Sequence, residues 1–117
     1  MNYLLLIYSN EADETAIGET GLKKMMGEYM EFTRSIVQAG HFKAGDRLRP
    51  VSMASTVRVR NGKTAITDGP FAETREQLGG YYLIEAKNLD EATAIAARIP
   101  SAKTGSIEVR PVWPPMN

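Results

Sequence analysis

Tyr3-Leu4-Leu5-Leu6-Ile7-Tyr8 is an unbroken apolar run near the start of the chain. Its lack of alternation marks a strand covered on both faces rather than one with a wet side. The run is too short to cross a bilayer or to form a signal-peptide core, and no basic segment precedes it. A chain of 117 residues fits one domain, residues 1–117, in which helices can cover one face of such a strand. The other face then needs a cover of its own, and a second subunit is the economical one.

Working outward, residues 9–19 are polar and acidic and are expected to form a loop. Leu22, Met25, Met26, Tyr29, Phe32, Ile36 and Val37 recur at the spacing of one helical stripe, which predicts a helix over residues 19–38. Thr20 is its candidate N-cap, and Gly40 supplies the left-handed stop. Residues 41–44 suit a short strand, and residues 45–53 a loop broken by Pro50. Two five-residue strands, 56–60 and 63–67, flank Asn61-Gly62, a pair suited to both positive-φ positions of a type I′ turn. That turn sets Val57 opposite Ile66 and Val59 opposite Thr64, with Arg58 and Arg60 on a solvated outer face.

Residues 80–86 form another strand, with Tyr82, Ile84 and Ala86 on one side and Tyr81, Leu83 and Glu85 on the other. Asp90 is expected to cap a second helix striped by Ala92, Ile95, Ala96 and Ile99 and ended by Pro100. Residues 106–110 alternate as a last strand, and a Pro-rich tail follows. The order β-α-β-hairpin-β-α-β predicts an α+β fold: a ferredoxin-like sandwich of an antiparallel sheet with both helices on one face, plus an extra β-hairpin. The opposite sheet face would be bare and apolar, which marks an interface. A homodimer joined through that face is the expected assembly.

Composition narrows the function. Lys+Arg and Asp+Glu both number 14, so a nucleic-acid backbone or an anionic membrane is not the expected partner. No cysteine is present, which removes disulfide and thiolate chemistry and accords with a cytoplasmic location. His41 is the one histidine; no metal-ligand spacing accompanies it, so neither a metal nor a cofactor is expected. Phosphate-loop, dinucleotide-binding and nucleophile-elbow motifs are also missing.

Chemistry concentrates in residues 67–82, Thr-Asp-Gly-Pro-Phe-Ala-Glu-Thr-Arg-Glu-Gln-Leu-Gly-Gly-Tyr-Tyr. Asp68 is either a turn aspartate bonded to its own backbone or a carboxylate held at the mouth of a pocket as base or anchor. Phe71 projects an aromatic ring after the Gly-Pro bend. Glu73 and Arg75 are either part of an exposed charged helical turn or companions of Asp68. Arg47 could grip an anionic group, and Tyr8 and Tyr82 are further candidates for the pocket wall.

Asp68-Gly69-Pro70-Phe71-Ala72-Glu73-Thr74, followed by Glu76-Gln77-Leu78-Gly79-Gly80-Tyr81, resembles the signature of the DGPF-domain branch of the YCII-related family. The resemblance runs over nearly the whole chain and implies a small bacterial protein with a dimeric α+β barrel, from a family mostly without assigned activities. In the namesake branch a histidine on the first helix and an aspartate near its end are the proposed catalytic pair. The matching positions here are approximately Tyr29 and Gln38, which cannot do that proton chemistry near neutral pH. Asp68 is then the natural replacement. Two functions follow as expectations. One is a cofactor-independent acid/base enzyme, isomerase- or lyase-like, acting on a small organic molecule near Asp68. The other is a non-catalytic ligand-binding or interaction module, linked through the resemblance to sigma-factor-type transcription regulation.

Overall fold

A computed structural model describes residues 1–116. Its strands are β1 (Asn2–Ser9), β2 (Phe42–Arg47), β3 (Ser55–Arg60), β4 (Lys63–Asp68), β5 (Gln77–Glu85) and β6 (Ser106–Pro111). Its helices are α1 (Glu11–Ala16), α2 (Gly18–Gln38) and α3 (Leu89–Ala96). Four strands form one sheet in the order β2-β5-β1-β6, every neighbour antiparallel. Strands β3 and β4 pair only with each other. This is the expected ferredoxin-like α+β arrangement with an inserted hairpin.

The two inner strands carry the core. Tyr3, Leu5 and Ile7 from β1 and Tyr82 and Ile84 from β5 meet Phe32 and Ile36 of α2, and Ala92, Ile95 and Ala96 of α3. Leu5, Ile36, Ile84 and Ile99 are fully enclosed, each worth about 1.5–3 kcal/mol of burial. The apolar run of β1 therefore behaves as an alternating strand within one chain. Its odd-numbered residues are buried under the helices, and Leu4, Leu6 and Tyr8 are only half covered.

Several boundaries differ from the sequence expectation, for local reasons. Residues 11–16 are helical rather than loop, because the Asn10 side chain accepts the Asp13 N–H at 3.0 Å and caps them. Glu11, Asp13 and Glu14 then sit at the positive end of the helix dipole. Gly18, at φ 75°, lets the chain restart as α2, so Thr20 is interior and caps nothing. Asn88, not Asp90, caps α3 by accepting the Glu91 N–H at 2.9 Å; Glu91 reaches back to the Lys87 N–H at 3.0 Å. α3 ends at Ala96, and Pro100 opens a 3-10 turn instead of stopping the helix. On α2 only Phe32 and Ile36 are buried; Met26 and Val37 of the expected stripe are exposed.

The hairpin has the expected register, Val57 opposite Ile66 and Val59 opposite Thr64. Its turn uses φ 53° at Asn61 and φ 74° at Gly62. The extra residue that sets the register shift of β5 against β1 falls at Gly79, between Leu78 and Gly80. A side chain on Gly80 would stand 2.9 Å from the Asp46 carbonyl oxygen.

Two predictions follow from the packing. A Cβ on Gly105 would lie 2.1 Å from the Tyr8 carbonyl oxygen and 3.2 Å from Ser9 Cα. Gly105→Ala should therefore lower stability by about 1–3 kcal/mol, read as a lower urea midpoint. Burial raises the phenol pKa of both Tyr29 and Tyr82. In the unfolded chain these phenols ionise near pH ~10, while the folded chain keeps them protonated. Above that pH the unfolded state binds fewer protons, so stability should fall as pH rises. Tyr82→Phe should flatten the fall, measured as urea midpoints at neutral and strongly alkaline pH.

Candidate functional site

Alternation divides the sheet into a helix-covered face and an open face. The open face carries Leu4, Leu6 and Tyr8 from β1, and opposite them Leu83, Tyr81 and Leu78 from β5. On the outer strands Ala44 and Asp46 stand opposite Leu83 and Tyr81, and Glu108 stands opposite Leu6. An apolar strip thus runs down the middle of the face with a carboxylate on either side. The two carboxylates hold the two phenols. Tyr81 donates to Asp46 Oδ2 at 2.5 Å, and Tyr8 donates to Glu108 Oε1 at 3.5 Å. The bond to Asp46 raises the Tyr81 phenol pKa, since a proton shared with a carboxylate is harder to remove.

The root of the hairpin is tied to the corner between β1 and α1. Asn10 Nδ2 donates to the Arg75 carbonyl at 2.9 Å, and the Glu11 N–H donates to Gln77 Oε1 at 2.9 Å. Glu11 Oε2 accepts the Val51 N–H at 3.1 Å. One capping corner thus holds both strands of chain that lead into and out of the hairpin. Between the hairpin and that clamp, residues 69–76 are irregular, so Glu73 and Arg75 lie on no helical turn.

Asp68 closes β4, paired with Ser55 and exposed. Among the described residues its carboxylate has no hydrogen-bond partner within the chain; the adjacent turn is held instead by Gly69 N–H to Ala54 O at 2.7 Å and Thr56 Oγ1 to Gly69 O at 2.8 Å. Phe71 is 78% exposed and no part of the core. Glu73 and Arg75 are also exposed. Two clefts occur elsewhere. One, of ≈550 Å³, lies along α2 and includes Lys24, Phe32, Arg98 and Lys103. The other, of ≈300 Å³, lies beside Asn2, Lys43 and Trp113. Neither includes Asp68, which stands exposed at the end of β4.

Of the expected pocket companions, Tyr8 lies on the open face. Tyr82 does not: it is buried in the core, edge-on to Phe32 at 5.3 Å, with its hydroxyl 2.6 Å from Thr33 Oγ1. Its neighbour Tyr81 takes the open side because successive strand residues face opposite ways. Arg47 ends β2 rather than lying in a loop, and its register opposite Gly80 places it on the helix side, away from Tyr8. His41 fills a structural place, its Nδ1 2.8 Å from the Glu85 carbonyl. The Asp46–Tyr81 and Glu108–Tyr8 pairs escaped the sequence reading. Alternation of 81 and 83 signals the open face, but the partners across the sheet depend on the register of β2 and β6.

Residues 1–116 match the profile of the YCII-related domain. The chain belongs to the YCII-related family. An uncharacterized protein of Rhizobium meliloti (strain 1021) is 40% identical over 114 residues, covering 96% of this chain and 92% of that relative. At the positions of the namesake branch's proposed pair, this YCII-related protein has a phenol and an amide. The Tyr29 hydroxyl is 2.6 Å from Ser101 Oγ, and Gln38 is exposed at the end of α2. No group of three or more metal-ligating side chains occurs among the described residues, and no described helix is long and apolar enough to cross a membrane.

The phenol–carboxylate pair gives a direct test. In Asp46→Asn the Tyr81 pKa should fall back toward that of a free tyrosine, followed by ultraviolet titration against a Tyr81→Phe blank. An unchanged titration would show that the bond does not form in solution.

Proposed function

We propose that the protein acts as a two-fold homodimer joined through the open sheet face, and that it holds a small organic molecule where the sheets meet. Asp68 is the carboxylate that anchors this molecule or exchanges a proton with it. The observation that carries the reading is the uncovered strip of Leu4, Leu6, Tyr8, Tyr81 and Leu83, flanked by Asp46 and Glu108. Such a strip is costly in water and has the composition of an interface centre, with aromatic anchors and charge at its margin. A hollow lined by phenols, by Asp46 and by the Glu108–Arg110 pair, 3.0 Å apart, suits a small molecule with several hydrogen-bonding groups. Proton transfer, as in isomerisation or elimination, is the chemistry these side chains can perform without further equipment.

The exposure of Asp68 favours a second reading, a binding or interaction module without turnover. A general base at neutral pH needs partly dry surroundings that lift its proton affinity, and within one chain Asp68 has none. The two readings part at Asp68→Asn. Under the first, the variant keeps the wild-type melting temperature but loses both turnover and the thermal shift given by a ligand from a metabolite screen. Under the second, a bound ligand still raises the melting temperature and no turnover occurs in either protein. The dimer itself is tested by Leu6→Glu, which should convert the protein to monomer in sedimentation velocity with its far-ultraviolet circular dichroism unchanged.

A further inference from the structure

The β3–β4 hairpin is the part of the chain that the fold does not use. Neither strand pairs with the main sheet, and Val57 is 59%, Val59 58% and Ile66 70% exposed. The Cα radius of gyration is 16.3 Å, against about 13 Å for a compact domain of this length. The molecule extends 47 × 47 × 18 Å, a plate two layers thick from which the hairpin reaches out as an arm. Hairpins alone in water are marginal at best. An arm with an apolar side and a well-formed turn implies a surface for it to lie on.

The register decides what that side carries. Residues two apart on a strand share a face, and Ser55, Val57 and Val59 stand opposite Asp68, Ile66 and Thr64. The arm thus has one face of Val57, Val59, Ile66 and Asp68, and another with Arg58, Arg60 and Lys63. Whatever covers the apolar face also covers Asp68.

We propose that the arm clasps a second copy of this chain, laying its Val57–Val59–Ile66 face against the margin of that copy's open sheet. Asp68 is thereby delivered into a site built from two chains, its walls coming from the other copy's open face. The inference rests on the dimer proposed above and deepens it. Three observations favour a second copy over a foreign partner. A four-stranded face of this length has a projected area of about 500 Å², a platform that a second copy can share. The arm adds about 200 Å² more. Charge also favours the approach of two copies: the arm's outer face, away from the docked strip, is basic through Arg58, Arg60 and Lys63, while Glu11, Asp13, Glu14 and Glu19 make α1 and the start of α2 acidic, in a chain with no net charge. Two such copies attract each other through opposite patches. Finally, Asp68 stands exposed in one chain, and this placement encloses it.

The absence of native cysteine allows a clean test. A benzophenone maleimide on Ile66→Cys is photolysed in a mixture with isotopically heavy wild-type chain, alongside sedimentation of both proteins. The same label on Val37→Cys, exposed on α2, is the control. The expected result is a light–heavy conjugate from position 66 alone, mapped to the sheet margins at residues 42–47 or 106–111. A wild-type dimer that gives no light–heavy conjugate from position 66 overturns the clasp and leaves the sheet-face dimer standing. A wild-type monomer overturns both. Val57→Glu with Ile66→Glu should weaken the dimer at least tenfold with the circular dichroism of the body unchanged; undiminished association would also sink the clasp.

Discussion

The strand β1 is apolar on both sides, and one chain covers only one of them. This imbalance governs the rest of the structure. Tyr3, Leu5 and Ile7 satisfy the helix-covered side and hold α2 and α3 against the sheet. Leu4, Leu6 and Tyr8 face outward beside Leu83 and Tyr81, with polar groups on the outer strands: Asp46 on β2, and Glu108 paired with Arg110 on β6. A fold with a single core would place polar residues at these positions, as half-solvated antiparallel sheets do. Here the sequence keeps them apolar at the centre and charged at the edge, the pattern of a surface meant to meet another.

The inserted hairpin belongs to the same logic. Its root is clamped by Asn10 and Glu11, residues that also begin α1, so the direction of the arm is set by the corner at the top of β1. Its strands pair with no other strand of the described residues, and its bonds outward go to the adjoining turn, from Arg58 to the Phe71 carbonyl and from Thr56 to the Gly69 carbonyl. The proposed clasp gives this element, well defined in register yet outside the main sheet, a surface on which to bury its apolar face. Asp68, Gly69 and Pro70 lie where the arm turns back toward the body, and under the proposed clasp this motif is a junction between chains rather than a pocket within one.

Much of this was legible in the residues. Alternation gave the hairpin register to the residue, because Asn61-Gly62 admits one turn geometry. The stripe Phe32–Ile36 and the alternation of residues 81–86 placed the core. The acidic connection misled, since Asn10 turns a run of carboxylates from loop into a capped helix, and a cap is a matter of one hydrogen bond that composition does not report. Asn88 displaced Asp90 for the same reason: both can cap, and only backbone geometry chooses. At the site, Tyr8 was found on the open face, but Tyr82 was grouped with it despite the alternation that sends residue 82 inward. The pairing of Tyr81 with Asp46 depends on how β2 lies against β5, including a shift between Phe42 and Ala44. Sequence spacing carries no record of such a shift.

Small-angle X-ray scattering on the intact protein at micromolar concentration puts the central claim to the most direct test. Forward scattering should report a mass of two 12.9 kDa chains, with a particle clearly thicker than the 18 Å plate. A mass of one chain, with the dimensions of that plate, would contradict the account.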